Sequence, residues 1–402
     1  MNPSISLELP IELTDNIIEY IKGDTNALLA CRMLSEGWMA SADRYLFRQF
    51  TVLGNEAAPP GLLGFLILLR DSPRVGFHIQ SLTITENNSD NRWSLRPCIS
   101  ALILQFVLSH LPNLKSLTLD SCRVIYPNND SLDDVNLSIP PCVDGPYHLE
   151  NLSLSKIQSP SFSPDSRPLR DIFALFSFIG RLHLTFFGFP INPTSIREGY
   201  TFRKPYSQLV LSSLPEMVDL SCVQSLVVKS LSNADIMERV VTFFNCGGGR
   251  NISYLELYFT LAIWYRPQLA LDLSLCTKLH TVTIYFGHQT SPSSVAPTFE
   301  SLAQIHHQLH TIVLHVTTLV AYSKKVHGPN SLKMIPWNQL RDLTGKLEHL
   351  HLIEVRFQPI FDEREEIFDE IVEKELPQVK KMKKLSIIWL PPIHPHLGPW
   401  KG

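Results

Sequence analysis

A short pattern of aliphatic and polar positions recurs along most of the chain. Ten six-residue segments carry apolar residues at positions one, four and six. They are IQSLTI from residue 79, LKSLTL from 114, LENLSL from 149, IGRLHL from 179, VQSLVV from 223, ISYLEL from 252, LHTVTI from 279, LHTIVL from 309, LEHLHL from 347 and MKKLSI from 382. Side chains alternate in an extended chain, so positions four and six point to one side and positions three, five and seven to the other. Each segment therefore predicts a β-strand.

Segments of helical character lie between the predicted strands. They cover Pro60–Arg70, Pro97–His110, Pro168–Phe178, Ala234–Cys246, Pro297–Gln308, Pro336–Thr344 and Phe361–Glu375. Strands that alternate with helices favour parallel pairing, with the helices packed outside the sheet. Stacked repeats can continue for several hundred residues without a domain break. We predict an α/β solenoid over residues 51–390 with parallel strands on a concave face; an ordinary open α/β sheet is the alternative.

The predicted array resembles the leucine-rich repeat family, whose pattern is L-x-x-L-x-L-x-x-N/C-x-L. The first two segments also match its ninth position, with Asn87 and Cys122, whereas the third and seventh have Ile157 and Gly287 there. The spacing between segments varies from 27 residues (252 to 279) to 44 (179 to 223). The resemblance thus implies an irregular solenoid. We expect surface insertions at Glu86–Arg96, Ser121–Tyr147, Lys156–Arg167, Phe187–Tyr206 and His288–Pro297.

A different pattern occupies residues 5–50. Apolar residues recur there at helical spacing in two runs, which are Leu13, Ile17, Ile18 and Ile21, and then Leu28, Cys31, Leu34 and Trp38. A break at Gly23-Asp24 separates the runs. We predict a small module of two or three short helices. About 45 residues make a small core, so we expect this module to pack against the first repeat or against a partner.

This module resembles an F-box. It opens with Leu9-Pro10-Ile11-Glu12-Leu13, like the Leu-Pro, acidic and aliphatic start of that family. A small apolar run, Ala27–Cys31, is followed by Trp38, and Leu46-Phe47 leads into a predicted edge strand at Phe50–Val52. The segment Arg32–Gly37 departs from the family pattern.

The F-box resemblance implies a partner and a function. An F-box docks on the Skp-family adaptor of a cullin-RING ubiquitin ligase, while the rest of the chain captures a protein substrate. The docking anchors would be exposed side chains, namely Leu9, Pro10, Leu13, Ile17 and Trp38. The alternative is a repeat-based interaction scaffold, in which the helices only cap the first repeat.

Composition excludes several classes of function. The 402 residues carry a formal net charge of -3, which argues against nucleic acid as a partner. The start MNPSISLELP has no secretory pattern, and the longest apolar stretches fall short of the roughly 20 residues that cross a bilayer. Seven scattered cysteines without a C-x-x-C pair favour reduced thiols. We expect a cytoplasmic or nuclear protein that is neither secreted nor bound to a membrane.

The sequence contains no recognisable catalytic set. His306 and His310 have helical i, i+4 spacing, but no glutamate follows the first histidine as in H-E-x-x-H. Gly247–Arg250 lacks the Lys-Ser/Thr of a phosphate loop, so we interpret its glycines as a helix end. The chain has no G-x-S-x-G motif. We therefore predict a protein without enzymatic activity, metal or cofactor.

Candidate recognition residues lie at the outward strand positions of the later repeats. The early repeats have small polar residues there, whereas larger groups gather in repeats six to nine. These groups are Tyr254, Tyr258, Tyr285, His315, His349 and His351. Tyrosine is favoured at protein interfaces because it combines contact area with a polar tip. We predict that these side chains bind the substrate, and that residues 391–402 form a tail after the last repeat.

Overall fold

The chain divides into two compact units, residues 1–152 and residues 153–402. The computed structural model describes residues 9–54, 61–86, 97–125, 146–157, 171–185, 223–229, 240, 244, 249–259, 271, 273–286, 292–305, 308–318, 335–346, 349–359, 370, 372–381 and 383–391. The boundaries expected at residues 50 and 390 stay predictions.

The first unit begins with three helices, as the two runs of apolar residues predict. They are α1 (Ile11–Tyr20), α2 (Thr25–Arg32) and α3 (Glu36–Leu46). The side chain of Asp24 caps α2 by accepting a hydrogen bond from the amide of Ala27 at 3.0 Å. Ile18, Leu28 and Ala42 bury one side chain from each helix in a common core.

Strands and helices then alternate in the first unit. The elements are β1 (Gln49–Leu53), α4 (Leu62–Asp71), α5 (Pro73–Gly76), β2 (Ser81–Thr85), β3 (Cys98–Ile99), α6 (Ala101–His110), β4 (Ser116–Asp120), β5 (Arg123–Val124) and β6 (Tyr147–Ser155), which crosses the unit boundary. The order is β1-β2-β4-β6, with β1 at the edge as predicted. The β1/β2 and β2/β4 pairs are parallel, and β3 pairs with β5 separately.

The second unit continues the same alternation. Its elements are β7 (Phe176–Thr185), β8 (Val223–Lys229), β9 (Tyr254–Phe259), β10 (Thr281–Phe286), α7 (Pro292–Leu302), a 3₁₀ turn (Ala303–Ile305), β11 (Thr311–Thr318), α8 (Trp337–Lys346), β12 (Leu352–Pro359), α9 (Pro377–Lys381) and β13 (Leu385–Trp389). The strands from β7 to β13 follow one another in sequence order, and each pairs in parallel with the next. With β1, β2, β4 and β6, eleven strands follow the predicted parallel α/β arrangement.

Backbone hydrogen bonds keep neighbouring repeats in register. The carbonyl of Gln80, at position two, accepts from the amides of Lys115 (2.8 Å) and Ser116 (3.0 Å), which hold positions two and three of the next repeat. The carbonyl of Ser253 accepts in the same way from His280 (3.0 Å) and Thr281 (3.3 Å). Positions four and six are buried in the strands of the large sheet from β2 to β12, whereas Leu385 and Ile387 in β13 are half-buried. This constant register brings equivalent positions of successive repeats side by side.

The ninth repeat does not have the predicted register. LEHLHL from residue 347 would place His349 and His351 at outward positions of a strand. In the structure β12 begins at Leu352, which pairs with Thr311 of β11. The repeat is therefore LHLIEV from residue 350, three residues later than predicted. Both histidines precede the strand.

Burial explains the shift. The observed register places Ile353, Val355 and Phe357 in the core, each with 0% of its surface exposed. The predicted register would have turned Glu354 and Arg356 toward the core, because a strand alternates its side chains. Two sets of aliphatic residues fit the short pattern here, and the longer apolar alternation decides between them.

The end of the second repeat shows what the residue at position nine does in this chain. Cys122, which holds that position, is buried, and its thiol donates to the carbonyl of Ile84 in the neighbouring strand at 3.4 Å. Ser121 just before it has a φ of 57°, and Lys156, at the equivalent place in the third repeat, has a φ of 52°. The strand thus ends with a left-handed residue in both repeats. Asn87, predicted to match in the first repeat, lies outside the described residues.

Three glycines were interpreted as a helix end, and one of them has a packing reason. A Cβ atom on Gly249 would lie 2.5 Å from the Sγ of Cys276 and 2.7 Å from the ring of Phe244. Phe244 is helical and Gly249 lies in the turn that leads to β9. The close approach of these side chains therefore requires glycine at this place. Gly247 and Gly248 lie outside the described residues.

Three predicted helix boundaries are wrong. Strand β3 (Cys98–Ile99) lies within the predicted helix Pro97–His110, so α6 begins at Ala101. Helix α7 begins at Pro292, five residues before the predicted start, within a segment expected to be a surface insertion. Strand β7 begins at Phe176, inside the predicted helix Pro168–Phe178, of which residues 171–173 are helical. Most of Ala234–Cys246, of Phe361–Glu375, of the predicted insertions and of the tail lies outside the described residues. None of the described helices is long and apolar enough to span a bilayer.

Candidate binding surfaces

Helix α1 exposes an apolar stripe. Leu13 and Ile17 are 50% and 42% exposed, and Tyr20 continues the stripe one turn later. Leu9, just before the helix, is 46% exposed. Side chains three and four residues apart share one face of a helix, so these residues form a continuous surface. We call Leu9, Leu13, Ile17 and Tyr20 the α1 face.

The α1 face is fixed by contacts on the opposite side of the helix. Ile18 is buried in the core that it shares with α2 and α3, and Thr14 is buried as well. Asp15 accepts a hydrogen bond from the hydroxyl of Ser41 at 2.5 Å and one from Nη1 of Arg44 at 3.1 Å. These two bonds join α1 to α3. The helix therefore cannot turn its apolar stripe inward without breaking them.

Two further predicted docking residues differ in exposure. Pro10 is exposed at the start of α1, where its carbonyl accepts from the amides of Leu13 (3.0 Å) and Thr14 (3.1 Å). Trp38 was predicted to be an exposed anchor, and this is wrong for most of its ring. It is half-buried and packs against the core formed by Ile18, Leu28 and Ala42. Tyr45 and Leu46 pack against the same core, so the ring of Trp38 is one of several large side chains that complete it.

A row of stacked side chains crosses the outward side of the second unit at position seven. The ammonium of Lys229 lies 5.1 Å from the ring centre of Tyr258. The rings of Tyr258 and Tyr285 stack with centres 3.7 Å apart and planes 8° apart, and Tyr285 stacks on His315 at 4.4 Å. The parallel register makes this possible, because it pairs Tyr258 with Tyr285 and Tyr285 with His315. Arg356 is the next residue in the register.

Glu256 lies beside this row at position five and is buried although its strand position points outward. Its Oε2 accepts from Nη2 of Arg181 at 3.0 Å and from the hydroxyl of Tyr254 at 2.9 Å. Its Oε1 accepts from the hydroxyl of Tyr258 at 2.5 Å. The hydroxyl of Thr283 lies 3.2 Å from that of Tyr254. One carboxylate therefore orients two tyrosines and one arginine.

The outward-pointing side chains at positions three, five and seven of β7–β12 are called the recognition face. Its tyrosines remain protonated near neutral pH. Burial is the largest cause that raises the pKa of Tyr254, Tyr258 and Tyr285. The hydrogen bond to Glu256 raises the pKa of Tyr258 further. All three hydroxyls can therefore act as hydrogen-bond donors.

The two histidines of the recognition face are held neutral. Burial lowers the pKa of His183, and the nearby charges of Arg181 and Lys229 lower it further. Burial is also the largest cause of the lowered pKa of His315, whose Nε2 lies 3.2 Å from Oε1 of Gln358. Neutral imidazoles avoid placing more positive charge beside the arginine and lysine.

The structure brings together four of the six predicted recognition residues. Tyr258, Tyr285 and His315 form the stacked row, and Tyr254 joins it through Glu256. His349 and His351 lie outside the recognition face because β12 starts after them. His351 instead lies near His310, with ring centres 5.1 Å apart, at the position that precedes each strand.

Other residues of the recognition face were not singled out from the sequence. They are Arg181, Lys229, Glu256, Thr283, Glu354 and Arg356. Following the alternation to position seven in every repeat would have aligned Lys229, Tyr258, Tyr285 and His315. Glu354 and Arg356 could not be aligned, since the ninth repeat was displaced by three residues. Among the residues that the structure describes, no group of three or more His, Cys, Asp or Glu side chains could hold a metal ion.

Comparison with known proteins identifies no family for the chain. No protein-family model matches it, and no curated protein gives a significant match. Among solved structures it is similar to the leucine-rich repeat-containing protein LegL7 from Legionella pneumophila, with 16% identity over 85% of this chain and 91% of that chain. The TM-score of 0.38 is too low for this likeness to bear on fold or function. The repeat arrangement rests on the strand pairing described above.

Proposed function

We propose that the chain is a non-catalytic substrate-recognition subunit of a cullin-RING ubiquitin ligase. Its N-terminal helices dock on a Skp-family adaptor, and through it on a cullin, while the repeats bind a protein substrate. The observation that carries the proposal is the α1 face, which begins at the Leu-Pro pair that resembles the start of an F-box. Such a protein works in the cytoplasm or nucleus.

The exposed stripe supports docking on physical grounds. Leu9, Leu13 and Ile17 each leave about half of their surface in water. Burying a whole aliphatic side chain contributes about 1.5 to 3 kcal/mol, so covering the exposed half of each contributes on the order of 1 kcal/mol. A cap for the first repeat would place these residues in its core. Their exposure favours a separate partner.

The recognition face supports the second half of the proposal. Tyrosine and arginine, together with tryptophan, are enriched among the side chains that dominate protein interfaces. Tyr254, Tyr258 and Tyr285 are half-buried and fixed by hydrogen bonds or stacking. Side chains fixed in advance lose less conformational entropy on binding. We therefore place the substrate on this surface.

Co-purification with a Skp-family adaptor tests the ligase role. Leu13→Asp and Ile17→Asp should abolish capture of the adaptor, because each puts a charge in the centre of the α1 face. Leu63→Asp is the matched control, since Leu63 on α4 is 42% exposed, like Ile17. It should leave capture unchanged. If the wild-type chain captures no adaptor, the repeat-based scaffold without a ligase role is the better account.

A further inference from the structure

The charges of the recognition face are not evenly accessible. Among the described residues of this face, the carboxylates are Glu256 and Glu354. Glu256 pairs with Arg181, and their side chains are 6% and 41% exposed. Glu354 pairs with Arg356, and their side chains are 12% and 37% exposed. In each pair the carboxylate is turned inward and the guanidinium faces outward.

Lys229 adds a third positive charge. Within the described part of the chain no carboxylate lies within ion-pair distance of its ammonium, which packs over the ring of Tyr258 instead. Burial lowers the pKa of His183, and the charges of Arg181 and Lys229 lower it further, so both cations lie close to this imidazole. A partner therefore meets cations and tyrosine hydroxyls rather than carboxylates.

Lys229 and Arg356 lie at the two ends of the stacked row. They occupy β8 and β12, which are four steps apart in the strand order. Parallel strands lie about 4.8 Å apart, so the two cations are separated by about 19 Å. An extended chain advances about 3.3 Å per residue and covers this distance in about six residues. Between them lie Tyr258, Tyr285 and His315.

We infer that the substrate segment bound by the recognition face is an extended acidic peptide, with carboxylates about six residues apart that pair with Lys229 and Arg356. This inference rests on the proposed function and specifies the chemistry of its substrate. Charge complementarity selects an acidic partner, because the carboxylates of the face are already paired and mostly buried. Between the cations, the hydroxyl oxygen of Tyr258, whose hydrogen is donated to Glu256, can accept a hydrogen bond from a peptide amide.

Fluorescence anisotropy with synthetic peptides tests the inference on the full chain. The probe is a labelled Gly/Ser peptide with two Glu-Glu pairs whose centres are six residues apart. One comparison peptide has Gln in place of Glu, and another has the four Glu in one block. We expect the spaced acidic peptide to bind about tenfold more tightly than the Gln peptide, and more tightly than the block. Equal binding of all three peptides would overturn the inference.

Variants of the protein locate the peptide. Lys229→Glu should weaken binding of the acidic peptide by about tenfold, and the milder Lys229→Gln and Arg356→Gln by a smaller factor. Lys374→Glu makes the same charge change at an exposed helical position in the same unit and should have no effect. Matching circular dichroism spectra show that the variants are folded. Loss of binding in Lys374→Glu as large as in Lys229→Glu would place the peptide elsewhere and refute the inference.

Two further measurements separate the remaining outcomes. An oligothymidylate with the same number of charges should bind more weakly than the peptide; tighter binding would assign the positive surface to nucleic acid and overturn the inference. Adaptor capture is measured on the same preparations. If the adaptor is captured and the acidic peptide fails, the inference falls and the ligase role stands. If the peptide binds as predicted and the adaptor fails, the ligase role falls and the acidic partner stands.

Discussion

Replacement of Glu256 tests whether one buried carboxylate organises the recognition face. In Glu256→Ala, Arg181 and the hydroxyls of Tyr254 and Tyr258 all lose their acceptor. In Glu256→Gln, the amide oxygen can still accept hydrogen bonds. The NH₂ group replaces the other carboxylate oxygen and therefore faces a hydrogen-bond donor of Arg181, Tyr254 or Tyr258. The two variants should therefore lower the stability of the second unit to different extents, with alanine the more harmful.

The magnitude follows from the exposure of the partners. A hydrogen bond to a charged group contributes about 1.5 to 3 kcal/mol. The sum over three such bonds is an upper limit, and we expect the measured loss of unfolding free energy to be well below it. Water reaches the 41% exposed side chain of Arg181 and the half-buried tyrosines, so part of the loss is recovered. We expect a loss of about 3 kcal/mol for Glu256→Ala and about 1.5 kcal/mol for Glu256→Gln.

Urea unfolding followed by tryptophan fluorescence measures these losses. Glu150→Gln is the control, because it makes the same chemical change in the exposed ion pair with Lys115 and should cost less than about 0.5 kcal/mol. A double-mutant cycle with Arg181→Met separates the ion pair from the tyrosine bonds, and we expect a coupling of about 1 kcal/mol. If Glu256→Ala unfolds at the same urea concentration as the wild type, the carboxylate does not hold the face together.

Three other changes have defined outcomes. Lowering the pH from 7.5 to 5.5 should destabilise the second unit, because His183 and His315 have lowered pKa values in the folded state. In the unfolded chain they take up protons near the usual pKa of 6.5, so the unfolded state gains stability first. In urea titrations at several pH values, His315→Gln should make the unfolding free energy depend less on pH. Lys156→Gly should raise the unfolding free energy by about 0.5 to 1 kcal/mol, since glycine tolerates the left-handed backbone there, and a lower denaturation midpoint would contradict this. Gly249→Ala should lower the thermal midpoint, because its Cβ would lie 2.5 Å from the Sγ of Cys276, while Gly345→Ala, in open space on α8, should not.

The sequence predicts the positions of the strands better than the structure of the segments between them. Positions four and six are buried aliphatics in repeat after repeat, so hydrophobic alternation alone locates the strands. It fails where two registers fit the same few residues, as at the ninth repeat, and only the longer alternation through Phe357 resolves the choice. Helix starts are less certain because proline can begin a helix or lie within its first turns, as Pro292 and Pro297 illustrate.

The candidate sites are predictable to different degrees for a physical reason. Leu9, Leu13 and Ile17 could be identified from a local motif, and all are exposed as expected. Trp38 could not be placed, because the same helical spacing fits a core residue and a surface anchor. The network around Glu256 joins residues 181 and 256, which lie 75 positions apart. No local sequence pattern predicts a contact between two such distant residues, because the contact depends on the strand register.

The two proposed surfaces differ in chemistry, and this difference suits the two tasks. The α1 face is apolar, and ionic screening does not weaken apolar burial. The recognition face presents Arg181, Lys229 and Arg356, whose attraction for an acidic segment is largely screened by salt beyond a Debye length of about 8 Å at physiological ionic strength. Charged surfaces of this kind raise the association rate of a complex more than they lengthen its lifetime. Under the proposed function, the recognition face would bind and release substrate segments while the α1 face stays docked on the adaptor.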